Sequence, residues 1–453
     1  MGCWDRYLLS IPAVTLKAVH RVGVIADDLT GANDTGVQFS KYGLSTMVVF
    51  DVDHVYELAD DVDIVVIETD SRWCDPKAAY SRVKVAAEAL KKAGISTPYK
   101  KIDSTLRGNI GAELDAVMDV FGAKVAFVVP AFPEMGRITL NGKQLLKSLS
   151  PYGEEPDSDS VYPATESHLP TLLAEQISGQ VGYIDIDIVA SGHKDLLDAI
   201  QSRILAGDRV IVVDAFEKAH LRTIAKSIAA LEIPTVIAGS AGLAGELPQA
   251  FKMVPCDSGT IAEKRRHGVL VIGGSANPAT KKQMEFAEAS IDLNVVAIDP
   301  DAIIQGLDKD ETETQSITHR VCSNLAKGWD VAVFVGSPAR LDRRCTHDSC
   351  RDKAEDSRRI VSYLGVLAER VLSSCKTAGL VLTGGDTARA VCNRLGGIGV
   401  TLFEEIAPGI PLGRLVGGPH DGLTIVTKAG GFGGDDAIAR TIEYLHRCDV
   451  SRC

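Results

Sequence analysis

Residues 22–36 read VGVIADDLTGANDTG. The apolar, largely β-branched run of Val22, Val24, Ile25 and Ala26 predicts a short strand. It delivers two adjacent carboxylates, Asp27 and Asp28, and a turn of small residues that opens an amphipathic helix. A strand passing straight into a helix is the repeating unit of an α/β protein, and here it sets both aspartates at the carboxyl edge of a sheet. Ligands of open α/β sheets bind at that edge, because strand ends and helix N-termini converge there with free backbone donors. The chain therefore opens its first domain with a candidate site.

The same rhythm continues along the chain. Thr46–Asp51 and Asp63–Thr69 read as strands, and Pro76–Ala93 reads as a helix with Ala79, Val83, Ala86 and Leu90 on one face and Gly94 as its stop. A strand at Tyr99–Ile102, a helix at Gly111–Phe121 and a strand at Val125–Pro130 repeat the cycle. After an excursion rich in Pro, Ser and acidic residues, Ser148–Pro170, strands resume at Gly182–Val189, Arg209–Asp214 and Thr235–Ala238. Phe251–His267 turns polar and basic, and a second series follows: Gly268–Ile272, Val295–Ile298, Val331–Val335, Leu380–Leu382 and Leu423–Thr427. The expected class is α/β, with two α/β/α domains, mainly parallel sheets and an active site in the interdomain cleft. Residues 1–20 form an N-terminal extension, 21–255 the first domain, 256–267 a linker and 268–453 the second domain; the charge-rich run 340–359 reads as a solvated loop entering a helix.

Composition narrows the function. A net charge of -12 over 453 residues disfavours nucleic acid or an anionic membrane as a general partner. No apolar run approaches the roughly 20 residues needed to cross a bilayer. The ten cysteines are scattered, which fits reduced thiols in a cytoplasm. Cys345 and Cys350 flank His347 without the spacing of a zinc site.

The first domain gathers charged clusters at its strand ends: Asp27 and Asp28; Thr69 to Arg72; Lys101, Ile102, Asp103 and Ser104 running to Arg107; and the PAFP element from Pro130 with Arg137. Guanidinium forks bind carboxylates bidentately and aspartates accept from sugar hydroxyls, so this rim suits a small ligand carrying both groups. In an alternative reading Asp28 and Asp103 cap helices and the basic residues pair with them. The second domain carries three Gly-rich turns, each after an expected strand: Gly273–Asn277, Thr383–Ala388 and Lys428–Gly434. Such turns let the backbone approach a ligand and aim several N–H groups at phosphate oxygens. Three on one sheet edge indicate a nucleotide, although the Walker pattern and an intact dinucleotide fingerprint are both absent.

Taken together, IADDLTGAND, KIDSTLRGN, PAFP with Gly136-Arg137, GSAGLA at Gly239–Ala244, GGDTA and KAGGFG resemble the four-carbon acid sugar kinases, in particular the D-threonate and D-erythronate kinase branch. The resemblance runs from Arg21 to about Leu445. It implies an N-terminal domain for the acid sugar, a C-terminal domain for the nucleotide, and transfer of the ATP γ-phosphate to a tetronate hydroxyl. By matching residue it places the substrate on Asp27, Asp28, Arg72 and Lys101–Ser104, and the nucleotide on Ser275, Gly384, Gly385, Asp386, Thr387 and Gly430, with Gly431 beside it; the rim chemistry adds Arg107 and Arg137. Asp28 is the first candidate for the base, with Asp103 and Asp386 behind it, because proton acceptance from a hydroxyl needs a carboxylate at the rim. ATP and Mg²⁺ are the expected cofactors, the metal held chiefly by phosphates and water so that no protein ligand is named. The expected partners are the sugar acid and ATP, with neither nucleic acid nor membrane, and the reading admits a homodimer. A 3-oxo-tetronate kinase, a non-catalytic sensor closing on an acid sugar or nucleotide, and a dinucleotide-dependent oxidoreductase are the competing readings.

Overall fold

The computed structural model describes residues 21–59, 61–146, 167–254, 267–274, 277–306, 310–336 and 350–447. The expected N-terminal extension, the linker through residue 266, Ser275, the excursion through residue 166 and the first part of the charged insert, including Cys345 and His347, lie outside the described residues.

The first half of the chain supplies β1 (Val22–Ala26), β2 (Thr46–Val49), β3 (Ile64–Glu68), β4 (Thr97–Lys101), β5 (Val125–Val129), a hairpin of β6 (Arg137–Leu140) and β7 (Lys143–Leu146), then β8 (Gln180–Ile184), β9 (Asp208–Val213) and β10 (Thr235–Gly239). The second half supplies β11 (Leu270–Gly273), β12 (Leu293–Ile298), β13 (Asp330–Val335), β14 (Leu380–Thr383), β15 (Gly399–Ala407), β16 (Ile410–Val416) and β17 (Thr424–Lys428). Apart from the β6–β7 hairpin, all of these join one sheet in the order β12-β13-β11-β14-β17-β16-β15-β2-β3-β1-β4-β10-β5-β9-β8. Each half is parallel around its own centre, as the alternation of strand and helix requires.

The halves meet edge to edge. β15 pairs antiparallel with β2, Gly399 opposite Val49 and Leu402 opposite Thr46, and β15, β16 and β17 form an antiparallel meander that carries the sheet across. Two sheets facing a cleft thus become one sheet with a seam. A single apolar core follows one face of it through both halves, from Val22, Val24 and Phe39 through Val400, Leu402 and Leu415 to Leu380 and Val333. The opposite face carries two separate cores, one around Ile25, Ile67 and Leu114 and one around Val271, Val426 and Ile442.

The helix Leu29–Ser40 lies over the seam, and all twelve of its residues are buried. The sequence reads it as amphipathic; its polar side is nevertheless covered, because the second half lays β15, β16 and the helix Gly385–Arg394 against it. Polar bonds fix it there: Ser40 Oγ donates to the Leu402 carbonyl at 3.2 Å and Asn33 Nδ2 to Thr427 Oγ1 at 3.0 Å.

Local chemistry sets the other boundaries. Asp75 caps the helix Pro76–Lys92 by accepting from Lys77 N and Ala78 N, with Pro76 in the first turn where its missing N–H costs nothing. The strand expected over Gly182–Val189 stops at Ile184, because Asp185 accepts from Ile188 N at 3.1 Å and caps a short helix, Ile186–Ala190. Among the described residues no helix is long and apolar enough to cross a membrane.

The seam tolerates little extra volume. A Cβ on Gly399 would sit 2.4 Å from the carbonyl oxygen of Val48, which is backbone and cannot rotate away. Gly399→Ala is expected to destabilise the protein by about 1–3 kcal/mol through overpacking, read from a lowered urea midpoint. An unchanged midpoint would mean that the strands are not held this close.

Candidate active site at the seam

The acidic pair at the end of β1 is gripped by one guanidinium. Arg72, just beyond β3, donates from Nε to Asp27 Oδ2 at 2.6 Å, from Nη2 to Asp27 Oδ1 at 3.0 Å and Asp28 Oδ1 at 2.7 Å, and from Nη1 to Asp28 Oδ2 at 2.8 Å. Four of its N–H directions are spent, so its role here is to orient the two aspartates. Asp28 also caps the seam helix, accepting from Gly31 N at 2.9 Å. Burial raises the Asp27 carboxyl, but the charges of Arg72 and Lys100 outweigh it and hold Asp27 below its ordinary value. Deeper still, the Lys100 ammonium pairs with Glu113 at 2.7 Å and donates to the Lys101 carbonyl at 2.6 Å.

Asp103, beyond β4, is held the same way. Arg107 Nε donates to its Oδ2 at 2.5 Å and Nη2 to its Oδ1 at 3.2 Å, and the Thr105 hydroxyl adds a bond at 2.6 Å. Burial acts against the charged form of Asp103, yet Arg72, Arg107 and these bonds keep it well below the usual carboxylate range. The capping and ion-pair readings of Asp28 and Asp103 are therefore both realised, and both groups still stand at the sheet edge. Ile102 turns its side chain into the core and leaves only backbone at the rim, while Ser104 is buried, its carbonyl accepting from Gln144 Nε2.

Two cations of the rim face the seam. The Lys101 ammonium lies over the first turn of the seam helix, 2.8 Å from where a Cβ on Gly31 would be. Arg137 donates to the Met135 carbonyl, and its guanidinium stands over the ring of Phe432, 5.2 Å from the centroid, so it reaches a Gly-rich turn of the other half. Burial lowers its pKa, the opposing pull of Asp103 and Asp34 notwithstanding.

On the other side the three Gly-rich turns converge. A Cβ on Gly274 would meet Thr387 Oγ1 at 2.6 Å, and one on Gly431 would meet Asn277 Nδ2 at 3.3 Å. The buried Lys428 ammonium folds the last turn around itself, donating to the carbonyls of Ala429, Gly430 and Phe432, and burial lowers it to about 7. Thr280 and Gln283 bind Gly430, Phe432 and Gly433 from the side. The helix Gly385–Arg394 starts at this junction with no side chain capping it. Its open N-terminus abuts the acidic turn of the first half, since a Cβ on Gly385 would lie 2.9 Å from Thr30 Oγ1 and 3.3 Å from Asp28 Oδ2. A side chain at Gly385 would press on Thr30 and Asp28, and an uncapped helix start is an anion site. Asp386 lies exposed on the first turn; the surrounding protein and then the charge of Asp28 raise its carboxyl.

Arg389 of this helix clamps the arrangement by pairing with buried Glu68 and donating to the Phe50 carbonyl. Burial raises Glu68 to about 8. The structure thus brings together every described residue that the sequence singles out, Asp27, Asp28, Arg72, Lys101 to Ser104, Arg107 and Arg137 with Gly384 to Thr387, Gly430 and Gly431. It adds Thr30, Asn33, Asp34, Lys428 and the Glu68–Arg389 pair. Only the spacing of Thr30, Asn33 and Asp34, three and four residues apart on one helical face, signals part of this addition in the sequence.

Residues 22–247 match the family model of a sugar-binding N-terminal domain, and residues 270–438 that of a nucleotide-binding C-terminal domain. The chain is 35% identical over 431 residues to a D-threonate kinase of Salmonella typhimurium, covering 93% of this chain and 97% of that one. It is 34% identical over 436 residues to a D-erythronate kinase of Heliobacterium modesticaldum, with 94% and 97% covered. A crystal structure from Salmonella typhimurium LT2 superposes with a TM-score of 0.74 at 25% identity, covering 93% of this chain and 98% of the other.

Arg72→Met strips buried Asp27 of its hydrogen-bonded partner, leaving only the charges of Lys100 and Lys101, and is expected to destabilise the protein by about 3–5 kcal/mol near neutral pH, measured by urea unfolding. Asp27 is depressed by the pairing, so its share of that loss is present above the ordinary carboxylate value of about 4 and fades as pH falls below it. A variant as stable as the wild type would show that the fork holds nothing together.

Proposed function

Because the chain belongs to the four-carbon acid sugar kinase family, we propose that it transfers the γ-phosphoryl group of ATP to a hydroxyl of a four-carbon sugar acid, D-threonate or D-erythronate. The observation that carries this reading is the open helix start at Gly385, set directly on the acidic turn of Asp28 and Thr30. An anion-binding terminus from the nucleotide half there meets a hydroxyl-binding rim from the sugar half.

Residues 268–453 serve as the nucleotide domain. Backbone N–H groups of Gly384, Gly385, Asp386 and Thr387, with Gly430, Gly431 and Ser275, take the phosphates of ATP. Residues 21–255, joined through 256–267, serve as the sugar-acid domain. Lys101, Arg107 and Arg137 attract the substrate carboxylate, while Asp27, Asp28, Asp103 and Ser104, with the backbone of Ile102, accept from its hydroxyls. Arg72 keeps the first two of these aspartates in place. Asp28, Asp103 and Asp386 are the carboxylates that surround the reacting groups. Phosphoryl transfer asks of a protein mainly position and neutralised charge, and the seam supplies both.

Mg²⁺ suits this setting. Among the described residues no cluster of three or more side chains could hold a metal alone, but Asp386 feels the charge of Asp28 across the seam, an excess of negative charge that a divalent ion borne on ATP would relieve. When bound, the ion would neutralise charge on the β- and γ-phosphates. An enzyme using ATP on a small acid belongs in the cytoplasm.

The test is an ADP-release assay across D-threonate, D-erythronate, their enantiomers and the 3-oxo-tetronates. ADP formation that depends on D-threonate or D-erythronate is expected, with little release when the acid is omitted. No release with any of them would overturn the reading, and calorimetric binding without turnover would favour a sensor.

A further inference from the structure

The seam holds an unusual group of buried polar atoms with no hydrogen-bond partner among the described residues. Besides Thr35 Oγ1, three lie on the seam helix: Thr30 Oγ1, Asn33 Oδ1 and Asp34 Oδ1. They occupy positions i, i+3 and i+4, so they share one face. One more belongs to an element beside them: Nε of Arg137, whose charge bears on Asp34. A buried polar atom without a partner has given up its water for nothing, so such atoms are few in a folded protein. Four converging on one junction mark a place that a polar ligand completes.

Building on the kinase reading above, we propose that this face receives the reacting hydroxyl of the sugar acid and that the Asp34 carboxylate accepts its proton. The O–H bond breaks and its oxygen forms the new bond to the γ-phosphorus. The bond from that phosphorus to the β–γ bridging oxygen breaks, ADP leaves with the electron pair, and the proton rests on Asp34.

The other carboxylates are less free to do this. Asp28 accepts twice from Arg72 and again from Gly31 N, and Asp103 is engaged by Arg107 and Thr105. Asp34 has an unused oxygen and stands among Lys101 at the end of β4, Arg137 on β6, Glu405 on β15, Asp28 at the start of its own helix, and the Tyr99 hydroxyl on β4. Burial raises the Asp34 carboxyl to about 7, with Lys101 the strongest opposing charge, which matches a general base to a neutral medium. The group works only when ionised, so turnover falls as pH drops through that value. Stability runs the other way: the folded state binds this proton more tightly than the unfolded chain, so it loses stability as pH rises from about 4 toward 7.

The experiment compares the full-length wild type with Asp34→Asn and Asp28→Asn, using whichever tetronate the ADP assay finds active. Measurements are kcat/KM against pH, calorimetric binding of ATP, and thermal unfolding at pH about 8. The wild type should show an acid limb centred near 7. Asp34→Asn should lose about 100-fold or more in kcat, lack that limb in its residual rate, still bind ATP, and melt no lower than the wild type. Asp28→Asn should be slower but keep the limb. An Asp34→Asn enzyme within about tenfold of the wild type, with the limb intact, would overturn the assignment alone. If that variant does not fold, the wild-type profile decides, since a rate level from about pH 6 to about pH 8 would overturn it equally. A wild type that releases no ADP with any tetronate overturns the kinase reading itself, a result distinct from an active wild type whose rate ignores Asp34.

Discussion

The pairing of β15 with β2 is the constraint on which the rest of this molecule depends. It joins two parallel α/β units in a single sheet, the parallel strands of one half running opposite to those of the other across the antiparallel meander, with the Gly385 turn nonetheless set against Thr30 and Asp28. Once the strands are joined, the helix Leu29–Ser40 is sandwiched between material from both halves. The Gly385 turn then falls on the Asp28 turn, and Arg137 reaches Phe432. A sugar-binding edge and a phosphate-binding edge would otherwise be two unrelated sites. Chemistry between their ligands requires this register.

Electrostatics divides the seam into a fixed part and an available part. Arg72 with Asp27 and Asp28, Lys100 with Glu113, and Arg389 with Glu68 are buried or half-buried pairs whose partners satisfy one another. Such pairs add little net stability compared with apolar packing, but removing one member leaves a costly charge, so they lock geometry. Asp34 and Arg137 differ, each keeping a buried polar atom without a partner, beside Lys101 on the first turn of the helix. A site that must bind a charged acid and move a proton needs groups that the protein has not already used.

Much of this architecture is legible in the sequence. Parallel strands are buried on both faces and read as unbroken apolar, β-branched runs, so β1, β3, β5, β9 and β13 stand out. β15 does not, because Glu404 and Glu405 interrupt its apolar character and two irregularities shift its register. The seam was therefore hidden, and with it the fate of the first helix. From its own residues, Asn33, Asp34 and Gln38 belong to a wet polar face; only the covering half makes them buried. Asp28, Arg72, Asp103 and the Gly-rich turns could be found because adjacency to strand ends is a local signal. Asp34 could not be singled out, since its environment is assembled by residues far from it along the chain, Lys101, Arg137 and Glu405 among them. The bonding of Arg72 was similarly hidden: sequence shows a guanidinium near two carboxylates, not that it is consumed by them.

The account stands or falls on where the two substrates meet. A crystal structure of the full chain with D-threonate or D-erythronate and a non-hydrolysable ATP analogue tests this most directly. The terminal phosphate should rest on the backbone N–H groups at the start of the helix Gly385–Arg394. A hydroxyl of the acid should lie between it and the face of Thr30, Asn33 and Asp34, with the acid's carboxylate toward Lys101 and Arg137. A nucleotide bound away from the Gly385 turn, or an acid sugar seated out of reach of the seam helix, would contradict the account.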